Sequence, residues 1–195
     1  MALRSFSRAS LPATPWKNGG GSTQEIAAWP PGAGLADFGW RVSIATIAAA
    51  GPFSVFEGVD RLIMLLDGEG VHLRSRDGRI DHRLDVPHRP FAFAGEAEIE
   101  GVPQGGHSSD FNVMTRRGAW RAELTVLDQA AAVAPAAHGV LLALRGDWSV
   151  DEKGTLCREG EGLCWTDAPH AWHVAPRSAG ARLAVVRIQP ADAQP

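Results

Sequence analysis

The sequence predicts an all-β fold, on three features of its composition and patterning. Short apolar and aromatic runs recur along the chain, many of them alternating with polar residues as half-buried strands do. Twenty-two glycines and thirteen prolines separate these runs. Helical patterns are scarce, so we expect a β-sandwich or barrel with few short helices.

Length and charge limit the classes of function. A chain of 195 residues forms one domain or two small lobes. Its net charge of −3 comes from 19 basic and 22 acidic residues, and their even mixing argues against nucleic acid or an acidic membrane as partner. No apolar run is long enough to span a membrane, and residues 1–16 lack the core of a secretory signal. We therefore expect a cytoplasmic protein.

The first elements are a strand over residues 2–8, a glycine-rich loop at 15–21 (PWKNGGG) and an extended segment from Ser22 to Trp29. In the loop, Lys17 and Asn18 run directly into three glycines, whose N–H groups can approach an anion. Both residues are therefore candidate ligand-binding residues. The alternative is a flexible turn with an exposed lysine. The order of residues is not that of a Walker A loop.

Residues 40–47 (WRVSIATI) alternate, which places Arg41 and Ser43 on one face of a strand and apolar side chains on the other. If the polar face points inward, Arg41 and Ser43 line a pocket. If it points outward, they are ordinary solvent-facing residues of an antiparallel sheet.

Residues 51–70 (GPFSVFEGVDRLIMLLDGEG) are central to the prediction. Apolar runs bounded by Gly and Pro predict short strands at 53–56 and 61–66, joined by a turn at Glu57-Gly58.

The spacing of this segment resembles the first motif of the cupin barrel, in which two histidines and a glutamate bind a metal ahead of a closing glycine. With Gly68 at the closing position, Arg61 takes the place of the glutamate. The two histidine positions then fall within residues 54–57, which begin with Ser54 and contain no histidine. A guanidinium repels a divalent metal and binds carboxylate or phosphate. The alternative is a solvated arginine at a strand edge.

The following segments predict a hairpin turning at Asp77-Gly78, then two strands divided at Gly95. Further along, Asp110 and Asn112 share one face of a strand in DFNVMTRRG. An Asn amide both donates and accepts, so it suits recognition of an amide or formyl group. Asp110 could instead only pair with Arg61.

After Leu127 the composition becomes Ala-rich, which predicts a connector or the end of a short helix over residues 128–139. The remainder repeats the earlier strand texture on a smaller scale. We therefore predict an N-terminal lobe over 1–127 and a shorter C-terminal lobe over 128–195.

Metal and disulfide chemistry are not expected. His170 and His173 are the one histidine pair with a ligand-like spacing, and a metal site needs a third ligand that the sequence does not offer. Cys157 and Cys164 are expected to be reduced thiols, with a pair across a hairpin as the alternative. We predict no metal and no cofactor.

Several motifs together resemble the HutD/Ves family. They are PWKNGGG at 15–21, WRVSIATI at 40–47, GPFSVFEGVDRLIMLLDGEG at 51–70, PFAFAG at 90–95 and DFNVMTRRG at 110–118. The resemblance implies a two-lobed cupin, that is, an RmlC-like double-stranded β-helix of the bicupin type. It also implies a role in bacterial histidine utilisation, as a sensor or limiter of the pathway, with N-formylglutamate as the suggested ligand.

A formylated amino diacid needs cationic partners for its carboxylates and an amide-type partner for its formyl group. The predicted ligand-binding residues for such a small anionic metabolite are Lys17, Asn18, Arg41, Ser43, Ser54, Arg61, Asp110 and Asn112. No catalytic residue is assigned.

Two other functions stay open. The first is a metal-independent enzyme, an isomerase or hydrolase of a small carboxylate with Asp110 or Glu57 as acid or base. The second is a protein-interaction module with a vestigial pocket. Fold analogy alone makes a homodimer possible.

Overall fold

The protein is an assembly of β-strands, seen in a computed structural model that describes residues 2–152, 154–167 and 169–191. The strands that precede residue 120 are β1 (Ala2–Ser7), β2 (Ala13–Pro15), β3 (Gly21–Trp29), β4 (Trp40–Ile47), β5 (Gly51–Pro52), β6 (Val59–Asp67), β7 (Val71–Ser75), β8 (Asp81–Leu84), β9 (Pro90–Ala94), β10 (Ile99–Pro103) and β11 (Ser108–Arg116). Those that follow are β12 (Trp120–Leu127), β13 (Ala131–Ala136), β14 (His138–Arg145), β15 (Trp148–Ser149), β16 (Leu156–Cys157), β17 (Glu161–Thr166), β18 (His170–Pro176) and β19 (Arg182–Pro190).

Helix is almost absent from the described residues. A single 3₁₀ turn spans Arg8–Ser10, as the scarcity of helical patterns indicated. None of the helical structure in the described ranges is long and apolar enough to cross a membrane. Both cysteines are buried and free, which confirms the prediction of reduced thiols.

The chain divides into two compact units. One unit is Pro12–Ala119, and the other combines the chain up to Leu11 with everything from Trp120 onward. The sequence placed a single boundary after residue 127. The structure differs because β1 pairs with β17 and β12 pairs with β19, which joins both strands to the C-terminal unit.

The unit Pro12–Ala119, called the N-terminal barrel below, is built from two sheets. Their strand orders are β2-β3-β4-β11-β6-β9 and β5-β10-β7-β8. Apolar side chains from both sheets form one core, listed here as Ile47, Ile63, Leu65 and Phe93 from the first sheet and Val71, Leu73, Leu84 and Ile99 from the second. Side chains that share a face with this core therefore point into the barrel.

The C-terminal unit has the same architecture, with a five-stranded sheet β1-β17-β14-β19-β12 and a four-stranded sheet β13-β18-β15-β16. Its interior is filled by apolar side chains from both sheets, including Trp148, Trp165 and Trp172. The expected repeat of the first lobe's texture is present as a second pair of sheets.

Most predicted strands are present, and the hairpin at Asp77-Gly78 and the break at Gly95 are confirmed. The strand predicted at 53–56 is wrong, because the strand pairing with β10 covers only Gly51–Pro52 and the chain leaves the sheet after Phe53 N donates to the Ile99 carbonyl at 2.8 Å. The connector predicted over 128–139 is also wrong. It contains β13, whose register shifts between Val133 and Ala136, so that Pro135 sits at an irregularity where a strand tolerates it.

Candidate functional site: the inward polar face of the N-terminal barrel

Polar side chains from three adjacent strands meet on one face of the six-stranded sheet. In the antiparallel register, Ser43 on β4 lies opposite Asn112 on β11, which lies opposite Ile63 on β6. Alternation then places Arg41, Asp110 and Arg61 on this same face. Because Ile63 belongs to the core between the two sheets, the polar face is the inward one.

Irregularities in pairing flank this polar face. The register of β11 with β6 shifts between Ser109 and Asp110, which leaves Leu66 as an extra residue. The register of β3 with β4 shifts after Glu25, which leaves Ile26 extra. Bulges bend a strand and change the direction of its side chains, and here they occur beside Asp110 and Glu25.

Arg61 is the central cation of the site. It is buried, with 8% of its surface exposed. Its Nη2 donates to Asn112 Oδ1 at 3.2 Å and its Nη1 donates to the Ser54 carbonyl at 3.4 Å. Its Nε is buried and has no hydrogen-bond partner among the described residues. Burial lowers the pKa of Arg61 to about 10, against the opposing charge of Asp110.

Three phenylalanine rings surround the Arg61 guanidinium. Its Cζ lies 4.9 Å from the ring centroid of Phe93, 5.5 Å from that of Phe53 and 5.7 Å from that of Phe56. Each distance is within the range of a cation–π contact, which is stronger when the cation is desolvated. The rings thus stabilise a charge that has left water, while they leave its N–H edge available for a polar partner.

Asp110 is the second buried charge-bearing group. It is 1% exposed, and neither carboxyl oxygen has a hydrogen-bond partner among the described residues. It forms no ion pair with Arg61 within 4.0 Å. Burial raises the pKa of Asp110 to about 7, and the nearby Arg61 charge and the Asn112 amide only partly offset that rise.

Arg41 is positioned by its neighbours and is already paired. Its Nε donates to Glu25 Oε2 at 2.7 Å, and its Nη1 donates to Ser43 Oγ at 3.3 Å. Its side chain is 13% exposed, whereas that of Glu25 is 47% exposed. The positive charge of Arg41 contributes to lowering the pKa of Arg61, after the larger effect of burial.

Residues 53–58 belong to no strand and cover Arg61, and they are called the strap below. It supplies two of the three rings and the carbonyl that accepts from Nη1. Its far end is tied down because Gly58 N donates to Glu96 Oε1, which also accepts from Arg117 Nη1 at 2.8 Å. Hydrogen bonds from Arg117 and from backbone N–H groups lower the pKa of Glu96 to about 2.

Two glycines leave room for the strap. A Cβ at Gly101 would lie 2.5 Å from Cε1 of the Phe53 ring, and a Cβ at Gly95 would lie 2.5 Å from the Phe56 carbonyl oxygen. Both distances are too short for any side chain at these positions. The strap therefore approaches the neighbouring strands where only glycine allows it.

The predicted ligand-binding residues fall into two sets. Arg41, Ser43, Arg61, Asp110 and Asn112 come together on the inward face.

Three other predicted residues do not join them there. Lys17 and Asn18 are exposed, and Asn18 Oδ1 accepts from Gly20 N at 3.0 Å within its own loop. Ser54 is exposed and reaches Arg61 through its backbone carbonyl alone.

Sequence reasoning missed Glu25, Phe93 and Glu96. Phe93 lies directly opposite Arg61 in the pairing of β9 with β6, and Glu25 lies directly opposite Ser43 in the pairing of β3 with β4. Both placements depend on strand register, which periodicity within one strand does not specify. Glu96 acts through a contact distant in sequence, and no local pattern marks it.

The donor set of the site does not fit a divalent metal. The position where the cupin motif has its glutamate is held by the Arg61 guanidinium, and aromatic rings occupy the surrounding segment. Within the described ranges, no group of three or more His, Cys, Asp or Glu side chains could hold a metal ion. The geometry instead suits an anion that accepts hydrogen bonds from a guanidinium.

Comparison with known families finds a match to the HutD family model over residues 8–184. Among curated proteins, the chain is 38% identical over 166 residues to Protein Ves of Citrobacter koseri, which covers 85% of this chain and 84% of that protein. It is 39% identical over 166 residues to Protein Ves of Cronobacter sakazakii, covering 85% of this chain and 88% of the relative.

Two solved structures are similar over nearly the whole chain. HutD from Pseudomonas fluorescens SBW25 (formate condition) superposes with a TM-score of 0.84 and 29% identity, covering 97% of this chain and 99% of that one. A conserved protein of unknown function from Pseudomonas aeruginosa PAO1 superposes with a TM-score of 0.83 and 31% identity. The match covers 97% of this chain and 100% of that one.

More distant structures identify the fold alone. The bacterial pirin YhhW of Escherichia coli, in complex with nickel(II), superposes with a TM-score of 0.61 at 12% identity. The match covers 97% of this chain and 99% of the pirin chain. The two pairs of sheets are those of a two-lobed cupin, as the sequence predicted.

The first prediction concerns the strap. Replacing Glu96 with Ala removes the acceptor of Gly58 N and the main partner of Arg117. We expect amide hydrogen exchange in residues 53–58 to accelerate by roughly tenfold, which corresponds to loss of one charge-assisted hydrogen bond. The matched control is Glu98→Ala, whose partner Arg76 is 83% exposed. Equal protection of the strap in both variants would show that Glu96 does not hold it.

The second prediction concerns Asp110 and pH. Its pKa of about 7 in the fold exceeds that of an unfolded aspartate, so the folded state retains a proton that the unfolded chain releases. This contribution to stability is present below pH 4 and is lost as the pH rises through about 7. Between pH 4 and 8, the wild type should therefore lose roughly 2 to 4 kcal/mol relative to Asp110→Asn, which does not titrate.

Urea unfolding at several pH values measures this difference, since the other carboxyl groups titrate equally in both proteins. The exposed Asp85→Asn variant serves as control and should track the wild type. A difference between wild type and Asp110→Asn that stays constant with pH would contradict a raised pKa at Asp110.

Proposed function

The chain belongs to the HutD family, and we propose that its N-terminal barrel binds a small organic acid without a metal and thereby acts as a sensor or limiter of histidine breakdown. N-formylglutamate or a similar acidic intermediate is the proposed ligand. The observation that carries the proposal is a buried guanidinium, Arg61, with an unpaired donor on the inward face of the barrel.

A carboxylate is the complementary group for that guanidinium. A buried charge is costly unless it is paired and hydrogen-bonded, and Arg61 keeps one buried donor without a partner among the described residues. Its charge is offset by aromatic faces and by Asp110, which it does not contact directly. An incoming carboxylate would accept from the N–H edge and supply the missing counter-charge in a medium of low dielectric.

The rest of the inward face suits the other parts of N-formylglutamate. Asn112 lies within hydrogen-bond distance of Arg61 and brings an amide to the site, as recognition of a formyl group requires. Arg41 adds a second positive charge near Arg61 for a second carboxylate. The rings of Phe53, Phe56 and Phe93 provide an apolar wall for the methylene groups.

A sensor requires binding without consumption of the ligand. The inward face presents acidic and basic groups, and no nucleophile next to a base is apparent in the sequence. Such a site would hold its ligand reversibly and report its concentration by occupancy. Membership of the family supports the link to histidine utilisation, which is the basis for choosing N-formylglutamate over other dicarboxylates.

One observation favours a second candidate function, a metal-independent enzyme. The pKa of Asp110 is raised to about 7 by burial, and a general base works best when its pKa lies near the working pH. In that case Asp110 would remove or deliver a proton during hydrolysis or isomerisation of the bound acid.

The third prediction tests binding. Calorimetric titration of chelator-treated protein with N-formylglutamate should show saturable binding that exceeds binding of glutamate, urocanate and histidine. Arg61→Met keeps an apolar side chain among the rings and removes the charge. We expect it to weaken N-formylglutamate binding by roughly 10- to 100-fold, the value of one or two charge-assisted hydrogen bonds.

The control for this titration is Arg76→Met, which removes an exposed arginine that pairs with Glu98 and should leave affinity unchanged. Thermal unfolding of each variant establishes that it is folded. No binding of any of the four compounds by folded wild-type protein would overturn the proposed function.

The fourth prediction separates sensor from enzyme. Wild-type protein incubated with N-formylglutamate should return the compound unchanged when free formate and glutamate are assayed. Steady release of either product would contradict the sensor. If that release fell by orders of magnitude in Asp110→Asn while binding was retained, Asp110 would be the general base of an enzyme.

A further inference from the structure

The surroundings of Asp110 indicate a second chemical group that the ligand needs, besides the carboxylate that Arg61 would bind. Both of its oxygens are buried and lack a hydrogen-bond partner among the described residues. The residues directly opposite it on the two neighbouring strands are Ala45 and Leu65, whose side chains have no donors. The Asn112 amide shares this face and favours the ionised form of Asp110, yet it forms no hydrogen bond to either oxygen. The protein thus places a strong acceptor on the inward face with its hydrogen-bonding capacity unfilled.

We infer that Asp110 is a specificity residue, which accepts a hydrogen bond from an N–H or O–H group that the ligand carries beside its carboxylate. This inference rests on the proposed function, since it concerns the same site. Above pH 7, where Asp110 is ionised, a second carboxylate cannot serve it, because two ionised carboxylates repel each other and both only accept. At that pH the ligand must therefore bring a donor.

The separation between the Asp110 and Arg61 side chains limits which classes of ligand could contact both. The two side chains interact through their charges but form no ion pair within 4.0 Å. A ligand can join them if its carboxylate meets Arg61 and its donor meets Asp110. An α-N-acylamino acid or an α-hydroxy acid has these two groups on one carbon. A plain dicarboxylate such as glutarate has the anionic groups and lacks the donor.

The site should discriminate strongly against ligands that lack the donor, because such a ligand leaves the buried Asp110 acceptor unpaired. Sites that hydrogen-bond a substrate N–H or O–H reject analogues without it far more strongly than apolar pockets reject a missing methylene. Leaving one buried partner unsatisfied costs the desolvation of that group, and more when it is charged.

The test is a double-mutant cycle between ligand and protein. The ligands are N-formylglutamate and its isostere O-formyl-2-hydroxyglutarate, in which an ester oxygen replaces the N–H at equal charge. The proteins are the wild type and Asp110→Leu, which removes the acceptor and keeps a side chain of similar size. Calorimetry gives four dissociation constants.

We expect the wild type to prefer the amide by at least roughly tenfold, and Asp110→Leu to bind the two compounds within about twofold of each other. Equal affinity of the wild type for both compounds would overturn this inference and leave the proposed function standing. A preference that persists in Asp110→Leu would also overturn it. Binding of neither compound by the wild type would overturn the proposed function together with the inference.

If Asp110→Leu does not fold, Asp110→Asn takes its place. The amide oxygen of Asn still accepts, but without the carboxylate charge, so the preference should fall by several-fold. An unchanged preference in Asp110→Asn would overturn the role of Asp110. Asp85→Asn, which alters an exposed carboxyl group, should keep the preference for the N–H compound.

Discussion

A guanidinium buried inside a β-barrel is the constraint around which the N-terminal unit is built. Taking an arginine out of water is costly unless its charge is compensated. Arg61 is compensated by the amide of Asn112, the carbonyl of Ser54, three aromatic faces and the nearby Asp110. The strap leaves the sheet to supply part of this environment, and Gly101 allows its Phe53 ring to lie close to β10.

The same constraint is the physical basis for proposing an organic acid as the ligand. In a cupin barrel the inward face of adjacent strands is the natural place for a binding site, and side chains there decide what is bound. Here a cation stands where the motif has a metal-binding carboxylate, and the same face carries Asp110, an acceptor without a hydrogen-bond partner among the described residues. The low dielectric constant of the interior strengthens the hydrogen bonds that either group can form. The polarity of the face is therefore complementary to an anion that also carries a hydrogen-bond donor.

The sequence predicted much of this site because strand periodicity is local. Alternation alone placed Arg41 beside Ser43 and Asp110 beside Asn112 on shared faces, and the missing histidines indicated a change of ligand. The direction of those faces depends on partner strands, so it could not be read within one segment. The strap has the sequence pattern of a short buried strand because two phenylalanines flank Ser54 and Val55, but in the structure their rings lie against Arg61. Glu25 faces the site because it lies opposite Ser43, and β1 and β12 join the C-terminal unit through pairing with distant strands.

A structure of chelator-treated protein with N-formylglutamate tests the central claim most directly. The account predicts the ligand inside the N-terminal barrel, with one carboxylate within hydrogen-bond distance of Arg61 and its N–H directed at Asp110. A ligand held elsewhere, or ordered water joining Arg61 to Asp110 at saturating ligand, would contradict it.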